Sequence, residues 1–327
     1  MSKLSEFLAD NVSPVCCALG VMAVIGVYAG YQPAIMSAFG FASLANASVA
    51  LALAAIGQTV VLMTGALDLS IGSEISLVNC FAASVMGQGA GSIILVVIAS
   101  LLIGLMAGAI NGFIVAYGRV APLIATFCTS FIFAGLSLTI RPQPGGFVPD
   151  SFANALTGNW GILPYSVVLL ALTVLVIWLP VFRSRLGRFI IAYGDNPDSA
   201  FASGIPVRRV ALSSYMLAGV FAAVAGLFLA AETTSGDPSI GQVYTLNSLA
   251  AAVLGGVTLT GGRGGVVGPI LGAILLSIIL NVLSVIGISA FWQDFIEGGI
   301  LMLVLGFAGI RLLRTQSWAA LLGRGNS

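Results

Sequence analysis

Two carboxylates stand in a part of this chain where water is scarce. Asp68 lies within Met63-Thr-Gly-Ala-Leu-Asp-Leu-Ser-Ile-Gly-Ser73, and Glu74 follows six residues after it. A carboxylate in a lipid-compatible run is costly and is usually either functional or well paired. The sharper chemistry for Asp68 is proton or cation coupling across a membrane, with Glu74 and the later Glu232 as further groups for that role. The structural reading is a helix start, with Asp68 or Ser70 accepting backbone N–H groups. Thr64, Ser70 and Ser73 can hydrogen-bond nearby, and Gly65 and Gly72 permit a non-helical turn.

Other polar residues punctuate apolar runs. Asn111, in Gly108-Ala-Ile-Asn-Gly112, and Asn281 are placed to bridge helices, a contribution of about 1–2 kcal/mol or less in lipid. Pro122 suits the first turn of a helix, where its missing N–H costs nothing. Thr126, Thr129 and Ser130 then form a polar stripe. Gln293, Asp294 and Glu297 open the last apolar run, where acidic groups complement the helix dipole.

Much chemistry is excluded. The chain has no histidine, so imidazole acid–base catalysis and the usual zinc ligands are missing. No nucleophile–base pair points to a membrane-embedded enzyme. The only lysine is Lys3. A nucleotide-binding phosphate loop needs a lysine to reach the phosphates, so if ATP drives this protein, another subunit binds it. Gly261-Gly-Arg-Gly-Gly265 reads instead as a tight turn between helices. Cys16, Cys17, Cys80 and Cys128 all fall in apolar runs without metal or CxxC spacing and read as packing residues.

The elements that position these residues are membrane helices. Hydrophobic residues make up 59% of the chain and charged ones 7%, against about 25% charged in a soluble domain. A spanning helix takes about 20 apolar residues. Runs at 14–32, 41–63, 70–87, 91–117, 122–140, 164–182, 210–231, 246–261, 264–287 and 291–310 predict an all-α polytopic protein of about ten transmembrane helices. The 246–261 run is the weakest, because half-helices could replace a full span there. The first run reads as a retained helix, not a cleaved signal. One transmembrane domain covers 1–327, with no soluble domain. With cytoplasmic termini, Lys3, Arg119, Arg183, Arg185, Arg188, Arg208, Arg209, Arg263, Arg311, Arg314 and Arg324 lie inside and only Arg141 outside, as basic residues prefer. That orientation makes 183–209 a cytoplasmic loop facing a soluble partner. The exterior segments are 141–163 and 233–245. A short internal echo links two places: Thr64-Gly65 precedes Gly72 by the same step that Thr260-Gly261 precedes Gly268.

Five ordered segments carry a family resemblance. They are Thr64-Gly-Ala-Leu-Asp-Leu-Ser-Ile-Gly72, Gly108-Ala-Ile-Asn-Gly112, Ala121-Pro-Leu-Ile-Ala-Thr126, Ala192-Tyr-Gly-Asp-Asn196 with Ser203-Gly-Ile205, and Ala250 to Gly264 with Gly255, Gly256, Gly261 and Gly262, followed by Gly268. Together they resemble the ribose-type permease subunits of bacterial ABC sugar importers. The resemblance implies a multi-pass protein of the bacterial inner membrane, surrounded by lipid, that binds no nucleic acid. It implies three partners: a second permease chain, identical or related; a cytoplasmic ATPase subunit holding ATP and magnesium; and a periplasmic sugar-binding protein. This chain itself would carry no cofactor and no metal. The family's coupling helix corresponds to Asn196–Ile205, with Asn196, Asp198, Ala200, Ser203, Gly204 and Ile205 as coupling residues. Asn196-Pro197-Asp198 makes a good helix start and Gly204-Ile205-Pro206 a good stop. The solute is expected to be a monosaccharide or similar small neutral polyol, pentose-type first, moved by alternating access. Asn46, Gln58, Asn79, Thr126, Ser130 and Asn247 are the polar residues chosen to line its path. The alternative is a proton-coupled secondary transporter of a small polar solute.

Overall fold

The computed structural model describes residues 12–289, 291–293 and 295–306. Lys3, Asp294, Arg311, Arg314 and Arg324, on which part of the orientation argument and one capping expectation rest, lie outside these residues, as do both termini.

The chain folds into helices: α1 (Val12–Tyr31), α2 (Ala38–Leu62), α3 (Ile71–Val85), α4 (Ala90–Ala116), α5 (Pro122–Ile140), α6 (Asp150–Thr157), α7 (Tyr165–Arg183), α8 (Arg185–Asp195), α9 (Pro197–Ala202), α10 (Val207–Thr233), α11 (Gln242–Leu254) and α12 (Val267–Val285). Residues 291–293 and 295–306 are also helical. Two short strands, Asn159–Trp160 and Leu163–Pro164, pair antiparallel between α6 and α7. Among the described residues, α1, α2, α4, α5, α7, α10 and α12 are long and apolar enough to cross a membrane. The protein is thus an all-α polytopic membrane protein. The expected run at 70–87 forms a helix of 15 residues. The run at 246–261 does not form a span: α11 stops after 13 residues at Leu254. Gly255 and Gly256 end it, Gly256 with a φ of 91°, and a Cβ on Gly255 would sit 2.2 Å from the Gly268 carbonyl carbon. That closeness folds α11 straight back onto α12.

Two helices form the centre. Most of the apolar window of α10 is buried (78%), as is that of α2 (67%), against 11% for α1 and 17% for α7. Leu53, Ile56 and Val60 of α2 meet Phe221 and Phe228 of α10, with Ile71 and Ile75 of α3, in the largest apolar cluster. In lipid no hydrophobic force drives helices together, so close backbone packing takes its place. The α4–α10 crossing is built this way. Gly104, Gly108 and Gly112 recur every fourth residue, which puts them on one face of α4. A Cβ on Gly104 would lie 2.2 Å from the Gly219 carbonyl oxygen, and one on Gly108 2.1 Å from that of Tyr215.

Helix α7 contains one π turn, Val174–Trp178, in which the Leu179 N–H donates to the Val174 carbonyl. Pro180 follows and has no N–H to give, so the widened turn absorbs the break that proline imposes. Trp178 and Phe182 stack across this region with ring centroids 3.9 Å apart.

The segment between α10 and α11 dips alongside α3 instead of staying at the surface. Its backbone is satisfied by α3 side chains: Asn79 Oδ1 accepts the Asp237 N–H at 2.7 Å, Asn79 Nδ2 donates to the Ser235 carbonyl, and Ser76 Oγ accepts the Gly241 N–H at 2.9 Å. Non-helical backbone is tolerated at membrane depth only with such partners. The same end of the bundle is tied by Gly145 and Gly236, which exchange two backbone hydrogen bonds.

Candidate functional site

The carboxylate pair is a sealed polar knot. Asp68 and Glu74 are 0% and 1% exposed. Asp68 Oδ1 accepts both the Ser70 N–H, at 2.8 Å, and the Ser70 hydroxyl, at 2.6 Å. The structural expectation therefore holds for Asp68, which braces the turn entering α3. Ser70, the residue before α3, makes no side-chain cap bond. Asn111 of α4 completes the knot. Its amide nitrogen donates to Ser70 Oγ at 2.7 Å and to Glu74 Oε1 at 3.0 Å, and its oxygen accepts from Thr129 of α5 at 2.5 Å. Thr126 Oγ1 accepts the Leu69 N–H at 3.1 Å. The donors reaching the two carboxylates among the described residues are all neutral. Asn111 is thus the bridge that the sequence suggested, joining α3, α4 and α5 at one point.

At the arginine-rich end of the bundle, the segment 196–205 forms a short helix with both ends chemically defined. Asn196 Oδ1 accepts the Ser199 N–H at 2.9 Å, and Pro197 takes the first helical position. At the other end the Gly204 N–H bonds the Phe201 carbonyl and the Ile205 N–H reaches back to that of Ala200, at 3.0 and 3.1 Å. This double closure needs a left-handed residue between them, and Gly204 supplies it with φ 80°. Ala200 faces inward at 4% exposure, and Ile205 packs against the main core. Asp198 and Ser203 are exposed, as is Phe201 at 71%. The result is a small rigid helix, seated by its inner face and bare on its outer one.

A glycine junction joins that helix to the bundle. Gly194, near the end of α8, lies against two loops. A Cβ there would be 1.8 Å from the Met63 carbonyl oxygen and 2.5 Å from the Gly262 nitrogen. The loops also meet each other: the Gly262 N–H donates to the Met63 carbonyl at 3.0 Å, and a Cβ on Gly261 would lie 2.7 Å from the Gly65 nitrogen. The two Thr-Gly segments that echo each other in sequence are therefore neighbours in space, and Gly194 sits between them. One leads through Gly72 into α3 and the other through Gly268 into α12. Thr64 itself is buried, its hydroxyl donating to the Val61 carbonyl.

The side chains of the six path candidates share no hydrogen-bond partner among the described residues. No hydrogen bond among the described residues joins any two of them. Asn79 holds the dipping 234–241 segment, and Thr126 belongs to the carboxylate knot. Asn247 donates to Glu297 Oε1. Ser130 bonds its own helix at the Phe127 carbonyl. Gln58 is fully buried in α2 with neither amide atom paired within the chain. Of the six, Asn46 alone borders a cavity of about 490 Å³ at the end opposite α8 and α9. Sequence reasoning passed over three polar residues of that cavity: Ser43, Thr157 and Asn159. Only their polarity beside an aromatic residue, Phe39, could have marked them.

Seven long apolar helices among the described residues define a multi-pass membrane protein. The chain belongs to the family described as branched-chain amino acid transport system / permease component, whose profile matches residues 40–305. Within it the resemblance to ribose-type permeases of ABC sugar importers holds. The chain is 34% identical over 262 residues to the ribose import permease protein RbsC of Escherichia coli (strain K12), covering 78% of this chain and 80% of the relative. It is 29% identical over 315 residues to the galactose/methyl galactoside import permease protein MglC of Haemophilus influenzae, covering 90% and 94%. It is 30% identical over 248 residues to the D-allose transport system permease protein AlsC of Escherichia coli (strain K12), covering 75% and 76%. No solved structure gives a significant match.

Proposed function

We propose that this chain is the membrane-spanning half of an ATP-driven importer for a monosaccharide or similar neutral polyol, pentose-type first, in a bacterial inner membrane. The observation that carries the reading is α9. It is capped by Asn196, closed by Gly204 and bare at Phe201, as a part that seats in another protein must be. A cytoplasmic ATPase subunit docks there and holds ATP and magnesium. Two permease chains, identical or related, face each other in lipid, and a periplasmic binding protein delivers the solute. The chain is one transmembrane domain with both termini in the cytoplasm. Closure of the ATPase pushes on Asn196, Asp198, Ala200, Ser203, Gly204 and Ile205, and the bundle changes the side to which its cavity opens.

A neutral solute fits the interior. Among the described residues no arginine or lysine is buried, so a solute carboxylate would find no cationic side chain there. The relatives' names favour a sugar over an amino acid. Proton coupling through Asp68 or Glu74 would need that carboxylate to exchange with water, whereas both are buried; of the three groups the sequence offered for that role, Glu232 is the exposed one.

The test is to purify the protein from its native membrane in mild detergent, identify what stays bound, and reconstitute it in vesicles. The expected result is a stoichiometric ATPase subunit and monosaccharide uptake that stops without ATP. Uptake driven by a proton gradient with the permease alone would overturn the reading and make Asp68 the residue to pursue.

A further inference from the structure

The cavity opposite α8 and α9 lies between the start of α2, the segment 157–159 and the end of α10. Its volume, about 490 Å³, falls within the range of roughly 300–1,000 Å³ typical of small-molecule sites. Phe39, Ser43, Asn46, Thr157, Asn159 and Glu232 give it its chemistry. Two of these side chains are oriented by the main chain. Asn46 Nδ2 donates to the Thr157 carbonyl at 3.0 Å, and Asn159 Nδ2 donates to the Gly161 carbonyl at 2.9 Å. Each amide therefore keeps its oxygen as a spare acceptor. Asn46 Oδ1 is buried and has no partner within the chain, an arrangement that costs free energy until a donor arrives. No hydrogen-bond donor reaches the Glu232 carboxylate among the described residues, and the Ser43 hydroxyl makes no bond there either. Beside these groups stands the Phe39 ring, 83% exposed.

Spare acceptors, one free hydroxyl and an uncovered aromatic face together call for a ligand with many hydroxyls and one apolar face. We infer that this cavity is a binding subsite for a single neutral polyol, a monosaccharide ring, held by hydroxyl donation to Asn46, Asn159 and Glu232 with its C–H face on Phe39. A divalent cation fits less well: calcium takes about 6–8 oxygen ligands with several carboxylates, and no group of three His, Cys, Asp or Glu exists among the described residues. The inference rests on the sugar-importer reading and deepens it. The subsite lies at the end of the bundle opposite α9.

The test uses the whole complex, permease with its ATPase subunit and binding protein, in vesicles. Ser43→Cys is labelled with a membrane-impermeant maleimide, with the unsubstituted chain as background, in the presence of millimolar D-ribose, D-galactose, D-allose or spermidine. At least one monosaccharide is expected to slow labelling about tenfold, as high occupancy requires, and spermidine to leave it unchanged. Phe39→Ala and Glu232→Ala are expected to abolish that protection and to raise the KM of ATP-driven uptake, leaving ATPase docking intact because both residues lie at the far end. Protection by spermidine alone would overturn the inference in favour of a cationic amine. Labelling unaffected by every sugar, with uptake in both variants matching the unsubstituted chain, would show that the cavity binds no solute. A complex that takes up no monosaccharide under ATP, but still shows sugar protection, would refute the importer reading and leave the subsite standing.

Discussion

Gly194→Ala tests whether α9, the proposed coupling helix, and the bundle form one mechanical unit. The added methyl would start 1.8 Å from the Met63 carbonyl oxygen and 2.5 Å from the Gly262 nitrogen. Carbon and oxygen in contact sit about 3.2–3.5 Å apart, so the junction must open by about 1.4 Å or more. Both neighbours are backbone, which cannot rotate away as a side chain can. Overpacking of this kind costs about 1–3 kcal/mol. Falling on one conformational state only, that cost shifts an equilibrium by about 5- to 150-fold. The surface of α9 is untouched, so the ATPase should still bind. The assay is ATP-driven uptake in vesicles beside ATP hydrolysis, with a melting curve in detergent to check folding. Gly135→Ala is the control, since nothing lies within 4 Å of a Cβ there. The expected outcome is loss of most uptake in Gly194→Ala with normal ATPase recovery, and none in Gly135→Ala. Uptake at the unsubstituted rate in Gly194→Ala would refute the idea that force passes through this contact.

Other outcomes follow from the same geometry. Gly204→Val puts a branched residue at φ 80°, where an L-residue costs about 1–2 kcal/mol or more; uptake should be lost while membrane insertion, read by the amount in the membrane fraction, stays normal. Asn111→Ala removes the hydrogen bonds to Ser70, to Glu74 and from Thr129, at about 0.5–1.5 kcal/mol net for each; its melting temperature in detergent should drop, and a variant melting with the unsubstituted protein would discount the knot. Gly108→Val forces α4 off the Tyr215 carbonyl, 2.1 Å from a Cβ, and should reduce the folded protein recovered after detergent extraction. Asn79→Ala frees the Asp237 N–H and takes one of two donors from the Ser235 carbonyl, so added protease should cut the 234–241 segment faster than in the unsubstituted protein.

What could be read in the sequence was whatever local chemistry decides. Asn196-Pro197 and Gly204-Ile205 mark the two ends of α9 because a cap and a left-handed stop act within a few residues. Asn111 announced itself as a bridge because an amide in lipid must find partners. The end of α11 was half visible in Gly255-Gly256, yet hydropathy carried the expected span through to residue 261, since hydropathy does not sense a chain reversal. The part Asn79 plays in holding the 234–241 segment was not legible for a related reason. Its partners, at 235 and 237, are more than 150 residues away in the chain, and no local pattern reports them. Helix α6 was read as loop; Pro149 before Asp150 is a reasonable helix start, but eight residues give little periodicity to detect. The meeting of the two Thr-Gly loops left the echo at matching spacing as its single trace.

Helix α9 is finished before anything touches it. A segment that folds only on docking must surrender conformational freedom at that moment, about 1–2 kcal/mol for each residue ordered. With its six residues already fixed by Asn196 and Gly204, this helix meets a partner at no such entropic cost. Under the proposed importer reading, attachment would stay favourable through repeated cycles in which the ATPase changes shape, and its displacement would be carried into the bundle instead of being spent on reordering a loose loop.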